Sequence, residues 1–274
     1  MKKIILVGAI SALTTLSAQA DYQFEANVGY IRGDVDFDFD FDFDVDNVDF
    51  DGYTLAATAF LEPVDTSKGP LSEASFLDKS SNISIAFSTT EFDDVDNDVS
   101  AISGRYVLSQ DFIVEAGYTD LDSDTSFTIG FGKYLTNSSD ILISYTKFDN
   151  SDANLLDLAF HSVNDLTGPT SIAYDLGASY IDADDETGFR LNAGLTYYPT
   201  KQLGLGISGS YSSIEDTNDT EDTDDTDITK IELGAEYFFN ENVAGSLAFS
   251  TQDNSDGFGS VTVDTFTLAM TARF

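Results

Sequence analysis

The side chains best equipped for chemistry in this sequence are carboxylates. Asp34, Asp36, Asp38, Asp40, Asp42, Asp44 and Asp46 alternate with Val35, Phe37, Phe39, Phe41, Phe43 and Val45. In an extended chain this spacing puts carboxylates on one face and apolar groups on the other. Successive carboxylates would lie ~7 Å apart, close enough to repel one another and draw counterions. Such oxygen ligands suit weakly held Ca2+ or Mg2+, but the run lacks the sixth-position Gly and closing Glu of an EF-hand loop. It reads as a cation-attracting loop with no certain metal site. A second acidic run, Glu215 to Asp227, has no Phe and reads as a solvated loop.

Enzymatic chemistry has little to work with. There is no Cys, hence no thiolate nucleophile, disulfide or zinc-thiolate site. His161 is the one imidazole. Asp157 shares its strand face but lies too far along a strand for a hydrogen bond. No residue is assigned a catalytic role, no cofactor is expected, and the chain is not expected to be an enzyme. The 49 acidic against 12 basic residues give a net charge of −37, which repels phosphate and excludes nucleic acid as a partner. Disorder is excluded by 42% hydrophobic residues, with 22 Phe and 13 Tyr.

The elements that would position these groups follow from periodicity. Lys2 and Lys3, the apolar run Ile4 to Leu16 and Ala18-Gln19-Ala20 form the pattern of a cleaved signal peptide over residues 1–20. Its removal would leave a chain of about −39. From Tyr22 onward the period is two: Tyr22/Phe24/Ala26/Val28/Tyr30, Tyr53/Leu55/Ala57, Ile83/Ile85/Phe87, and so on to Phe266/Leu268/Met270/Ala272/Phe274. This predicts about fourteen strands of roughly ten residues, with 12 to 16 in range, the length a tilted strand needs to cross a bilayer.

The opposite faces carry Thr54, Ala56 and Thr58, then Gly204, Gly206, Ser208 and Ser210. Such small polar side chains can line a wet lumen but cannot fill a dry core. A soluble sandwich would invert this pattern, with its apolar faces packed together. The expected pore-lining charges are Glu25, Glu115, Asp157, Asp175, Glu232 and Glu236, opposed by Arg105, Arg190, Lys230 and Arg273. For Arg105 and Arg190, pairing across the lumen is the expectation over substrate contact.

Connections alternate too. Asp93 to Asp98, Asp120 to Asp124, Asp182 to Glu186 and Gln252 to Ser260 are acidic and expected as extracellular loops, whereas Pro199-Thr200-Lys201 and Asn240-Glu241 are tight turns. Glu62 to Ser80 breaks the rule, being a long connection at the tight-turn end. Either it packs against the barrel mouth or the strand count is off by a pair. Tyr118, Tyr145, Tyr180, Tyr197, Tyr198, Tyr237, Phe238 and Phe239 are expected in interfacial aromatic girdles.

With a terminal Phe274 closing an amphipathic last strand, residues 21–274 resemble a small Gram-negative outer-membrane barrel, similar to the putative general porins of marine gammaproteobacteria. The resemblance implies an all-β, antiparallel up-and-down transmembrane barrel in the outer membrane. It implies passive diffusion of small hydrophilic solutes, here with a preference for cations. It also implies contact with outer-membrane lipid and lipopolysaccharide, and an insertion signal at Phe274 read by the barrel-insertion machinery. The alternative is a non-conducting structural barrel whose acidic loops bind divalent cations or a partner.

Overall fold

The computed structural model describes residues 21–39, 47–92, 95–183, 186–216, 226–256 and 259–274. The expected signal peptide, residues 1–20, and Asp40, Asp42, Asp44 and Asp46 lie outside them, as does most of the second acidic run. The described chain forms β1 (Tyr22–Phe39), β2 (Val48–Val64), β3 (Asn82–Phe92), β4 (Val95–Val107), β5 (Phe112–Leu121), β6 (Asp124–Thr136) and β7 (Ser139–Phe148). These are followed by β8 (Asn154–Asp165), β9 (Ser171–Ala183), β10 (Glu186–Thr200), β11 (Leu203–Asp216), β12 (Thr226–Asn240), β13 (Val243–Asp256) and β14 (Gly259–Arg273). Each strand pairs antiparallel with its sequence neighbours, and β14 pairs with β1 to close the barrel. The expected count of fourteen holds.

Alternation explains the closure. Phe24, Ile85, Phe131, Leu176 and Leu233 are each more than half exposed. A row of such side chains could not stay in water, but it matches an acyl-chain environment. The inverted arrangement of a soluble sandwich is therefore ruled out. Tyr30 and Tyr53 pair across β1 and β2, ring centroids 5.3 Å apart, and mark one edge of the apolar band.

The acidic connections differ from expectation. Most of Asp93 to Asp98, Asp182 to Glu186 and Gln252 to Ser260 is strand, not loop. Hairpins continue past the apolar band and form a wall. It is tall around β14, β1 and β2, with 15, 18 and 17 residues, and low at β5 and β7, with 10 each. Ladder hydrogen bonds keep paying out along these acidic stretches because their alternate residues, such as Val35 and Val263, remain strand formers.

The buried core is not distributed through the barrel. Three apolar clusters all sit at the tight-turn end, and each touches residues 65–81 or their strand stems. This long connection resolves as two 3-10 turns, Thr66–Lys68 and Leu71–Glu73, and one short helix α1, Ala74–Leu77. It packs into the barrel mouth, the first of the two outcomes the sequence left open.

Candidate functional site: the barrel lumen

The strand ladders fix which way each side chain points. On β10, Phe189, Leu191 and Leu195 face outward, so Arg190, Asn192, Gly194, Thr196 and Tyr198 face inward. The same parity puts all ten expected pore-lining residues, Glu25, Arg105, Glu115, Asp157, Asp175, Arg190, Lys230, Glu232, Glu236 and Arg273, on inward faces. Small residues dominate between them. At Gly234 an added Cβ would meet nothing closer than 3.7 Å, so this glycine keeps the bore wide instead of relieving a clash.

The inward charges form separate groups. Arg105 donates to Glu115 at 2.9 Å and also pairs with Asp140. Arg273 donates to Glu25 at 2.7 Å and stacks over Tyr22 and Phe238. Lys230 reaches Glu232 at 3.2 Å. Ser179 donates to Asp157 at 2.5 Å. Among the described residues, Asp157 and Glu236 have no basic ion-pair partner, and neither has Arg190. The expected pairing of Arg105 is realised. Arg190 points inward, exposed, between Ser179 and Ser212.

Residues 65–81 occupy the lumen at its tight-turn end as a plug. They meet inward-facing side chains around much of the circumference. Tyr134 of β6 donates to the Phe76 carbonyl at 3.0 Å. His161 of β8 stands 4.3 Å from the Phe76 ring, edge to face. Tyr198 of β10 donates to Glu73 at 2.6 Å, and Arg273 of β14 donates to the Leu71 carbonyl at 2.8 Å. Leu71 buries itself against Phe238 and Ala244, and Ala74 against Tyr22, Phe60 and Val64.

Periodicity did not pick out Glu73, Asp140 or Tyr134, and it put Tyr22 on the outward face of Phe24, whereas a register shift between the two leaves Tyr22 buried against Phe60, Val64 and Ala74. Tyr198 and Phe238 were expected in the girdles, but they are buried, inward-facing anchors of the plug. Tyr197, Tyr237 and Phe239 flank them and do face outward. Strict alternation contains this signal, since adjacent aromatics on one strand cannot share a face.

His161 sits between two carboxylates, Nδ1 2.5 Å from Asp175 and Nε2 3.1 Å from Glu73. Carboxylate oxygens only accept, so the doubly protonated ring satisfies both by donating to each. The arrangement ties plug to wall and provides no nucleophile.

Two cavities open above the plug. One of about 320 Å3 is bounded by Ser72 and Tyr198 below, and by Asp175, Glu232, Glu236 and the glycines 194, 206 and 234 at its sides. The other, about 460 Å3, lies beside Arg105 and Glu115.

The acidic wall beyond the apolar band points elsewhere. Asp34, Asp36 and Asp38 share the parity of Phe24, Val28 and Tyr30 with no register break, so they stand on the outer surface. Asp34 has Asp49 and Asp264 as its cross-strand neighbours, which sets three carboxylates abreast. Arg32 lies 3.6 Å from Asp49 and offsets part of this. The alternate residues turn inward: Val35, and Phe50 stacked on Phe92 at 4.7 Å. Within the described residues, the ladder skirts the barrel and does not ring the pore. No group of three or more His, Cys, Asp or Glu able to hold a metal occurs among the described residues.

At the seam, the Phe274 carbonyl accepts from the backbone N–H groups of Gln23 at 2.6 Å and Phe24 at 3.0 Å. The last residue is thus bonded into the β1–β14 closure.

The family described as "putative general bacterial porin" matches residues 1–217. No curated protein sequence matches the chain. Among solved structures it is similar to the Acinetobacter baumannii outer membrane protein Omp33, at 20% identity and a TM-score of 0.68 over 94% of this chain and 100% of that one. A bacterial polysaccharide outer membrane secretin is similar at 8% identity and a TM-score of 0.52, over 92% of this chain and 99% of that one. At these identities the likeness is one of fold.

Proposed function

The chain belongs to the putative general bacterial porins of the Gram-negative outer membrane, and on that premise we propose that its pore prefers small hydrophilic cations. The observation that carries this reading is the excess of inward carboxylates. Asp157 and Glu236 face the lumen with no ion pair among the described residues, Glu236 feeling Arg273 only beyond ion-pair distance, and Asp175 and Glu73 share one imidazole, against Arg190 as an unpaired inward base. In a low-dielectric tube such a surplus lowers the energy of a cation and raises that of an anion. The outer acidic skirt does not enter this argument.

Planar-bilayer recording of the purified protein in a KCl gradient tests it. The zero-current potential should take the sign of cation selectivity, and Asp157→Asn with Glu236→Gln should move it toward zero. Anion selectivity in the unaltered protein would overturn the preference.

A second reading, a closed structural barrel, is favoured by the plug itself. Its mark would be absence of conductance under every condition. In either case residues 1–20 would serve as the export signal and Phe274 as the insertion signal. The outward carboxylates of the skirt would meet lipopolysaccharide phosphates through Ca2+ or Mg2+.

A further inference from the structure

The plug has the construction of a hinged gate rather than a fixed constriction. It leaves and re-enters the wall at one place: Leu61 N–H donates to the Ser81 carbonyl at 2.9 Å, and Phe60 is paired with Asn82. The β2–β3 ladder is therefore already closed beneath it. The segment could swing out without breaking a single inter-strand hydrogen bond.

It is also bonded to itself across its neck. Asp78 accepts from the Asp65 N–H at 3.2 Å and pairs with Lys68, so both limbs of the loop are tied together. The Ser80 N–H donates to the Ser75 carbonyl at 2.9 Å, closing the end of α1. Such a unit moves as a body.

Against the wall, Lys79 pairs with Asp111 at 2.8 Å and the Ser67 carbonyl accepts from Lys201 at 2.7 Å, both through exposed side chains of the rim, whereas Glu73 is the plug side chain that engages two wall residues at once within the mouth. Glu73 accepts from Tyr198 through one carboxylate oxygen and faces His161 through the other, and His161 is braced from behind by Asp175. From the side facing the lumen, Glu236 adds like charge to this group, and across the mouth Arg273 holds the plug by the Leu71 carbonyl. Hydrogen bonds to a charged acceptor in a site shielded from water are stronger than neutral ones, and losing one leaves its partners unsatisfied.

We infer that residues 65–81 form a gate that swings out of the periplasmic mouth as a unit, latched shut by Glu73 on Tyr198 and His161. The inference rests on the porin reading, because a gate has meaning only where something passes. A latched state stabilised by several such bonds is the dominant population, so the unaltered channel should be closed most of the time and open in brief, rare events.

The absence of native cysteine makes the test clean. The Leu71 N–H donates to the Lys201 carbonyl at 2.8 Å, so the two backbones are in direct contact and a cysteine pair there is the natural staple. Three proteins are recorded in planar bilayers beside the unaltered one. They are Leu71→Cys with Lys201→Cys, Glu73→Gln, and a barrel in which residues 64–79 are replaced by Gly-Ser-Gly. The stapled protein should be silent when oxidised and regain openings on reduction. Glu73→Gln should raise the open fraction about tenfold or more, the effect of losing a charged hydrogen-bond acceptor. The shortened barrel should conduct continuously. If the oxidised staple conducts as the reduced form does, solute passes a fixed plug and the gate is wrong, while the porin reading stands. If the shortened barrel folds, judged by its heat-dependent electrophoretic mobility, and still does not conduct, the porin reading fails.

Discussion

The two ends of β1 obey the same alternation and use it in opposite ways. At the tight-turn end, Glu25 faces inward and is answered by Arg273, itself 5% exposed and stacked on Tyr22 and Phe238. At the opposite, acidic end, Asp34 faces outward and is flanked by Asp49 and Asp264, with Arg32 the adjacent base. One end packs apolar clusters and answered charges around a plug. The other holds like charges together on one surface, because its reverse face buries Phe50 on Phe92. Polarity alone does not say whether a carboxylate stabilises a barrel. What decides is the partner that strand parity delivers to it.

The largest contrast should come from deleting the arginines. Arg273→Leu leaves the partly buried Glu25 without its cation and the plug's Leu71 carbonyl without its donor. A loss of about 3–5 kcal/mol is expected in urea unfolding from lipid vesicles. Arg32→Leu, at a pair whose side chains are 65% and 73% exposed, should cost well under ~1 kcal/mol. Equal costs would erase the distinction between the two ends.

Phe50→Ala comes next. Phe50 is 7% exposed, and a buried Phe truncated to Ala typically costs about 3–5 kcal/mol. Here the cavity opens in a two-sided wall above the membrane, so the loss should be local. Amide exchange should quicken over residues 31–35 and 48–52 while the barrel's unfolding midpoint changes little. A matching drop in the global midpoint would show that the wall and the barrel are one cooperative unit.

Much of this was legible beforehand, and the limits are physical. The fourteen strands and the inward position of ten charged residues follow from a period of two that almost nothing interrupts. The same rule, carried past the membrane, would also have turned the Asp34–Asp38 ladder outward and Phe238 inward between Tyr237 and Phe239. What strand periodicity could not contain is residues 65–81. Their 3-10 turns have no period, and their partners, such as His161 and Tyr198, lie far off in sequence. Only closure of the barrel brings Glu73 to them. The length of the connection was the one available sign.

Divalent cations should separate the ends more gently. Ca2+ or Mg2+ added to the purified protein should raise stability, and removal by EDTA should reverse it. Both effects should shrink when Asp34, Asp49 and Asp264 are changed together to Asn, and at high ionic strength, where exposed charges are screened. A cation response unchanged in the triple variant would place it elsewhere in the molecule.

The smallest effect is a difference of sign in acid. Asp65 caps the first turn of the plug, and hydrogen bonds from the Ser67 side chain and backbone hold its carboxyl below the usual carboxylate range. A group whose folded value is depressed contributes stability that is present above its unfolded value and is lost as pH falls through the folded one. Asp34, beyond the Tyr30–Tyr53 edge, is pushed the other way, first by burial and then by Asp36, Asp264 and Asp49. A carboxyl with a raised folded value carries a penalty above that value, which is relieved as pH falls through it. Mild acid should therefore relax the skirt before it loosens the neck of the plug. Asp34→Asn should reproduce the first change at neutral pH, as slower amide exchange in β1 and β2 above Tyr30. Asp65→Asn should reproduce the second, as faster exchange over residues 65–69. Should both segments respond to acid with the same sign, the contrast between an answered and an unanswered carboxylate would be wrong at the level of single residues, even if the arginine comparison held.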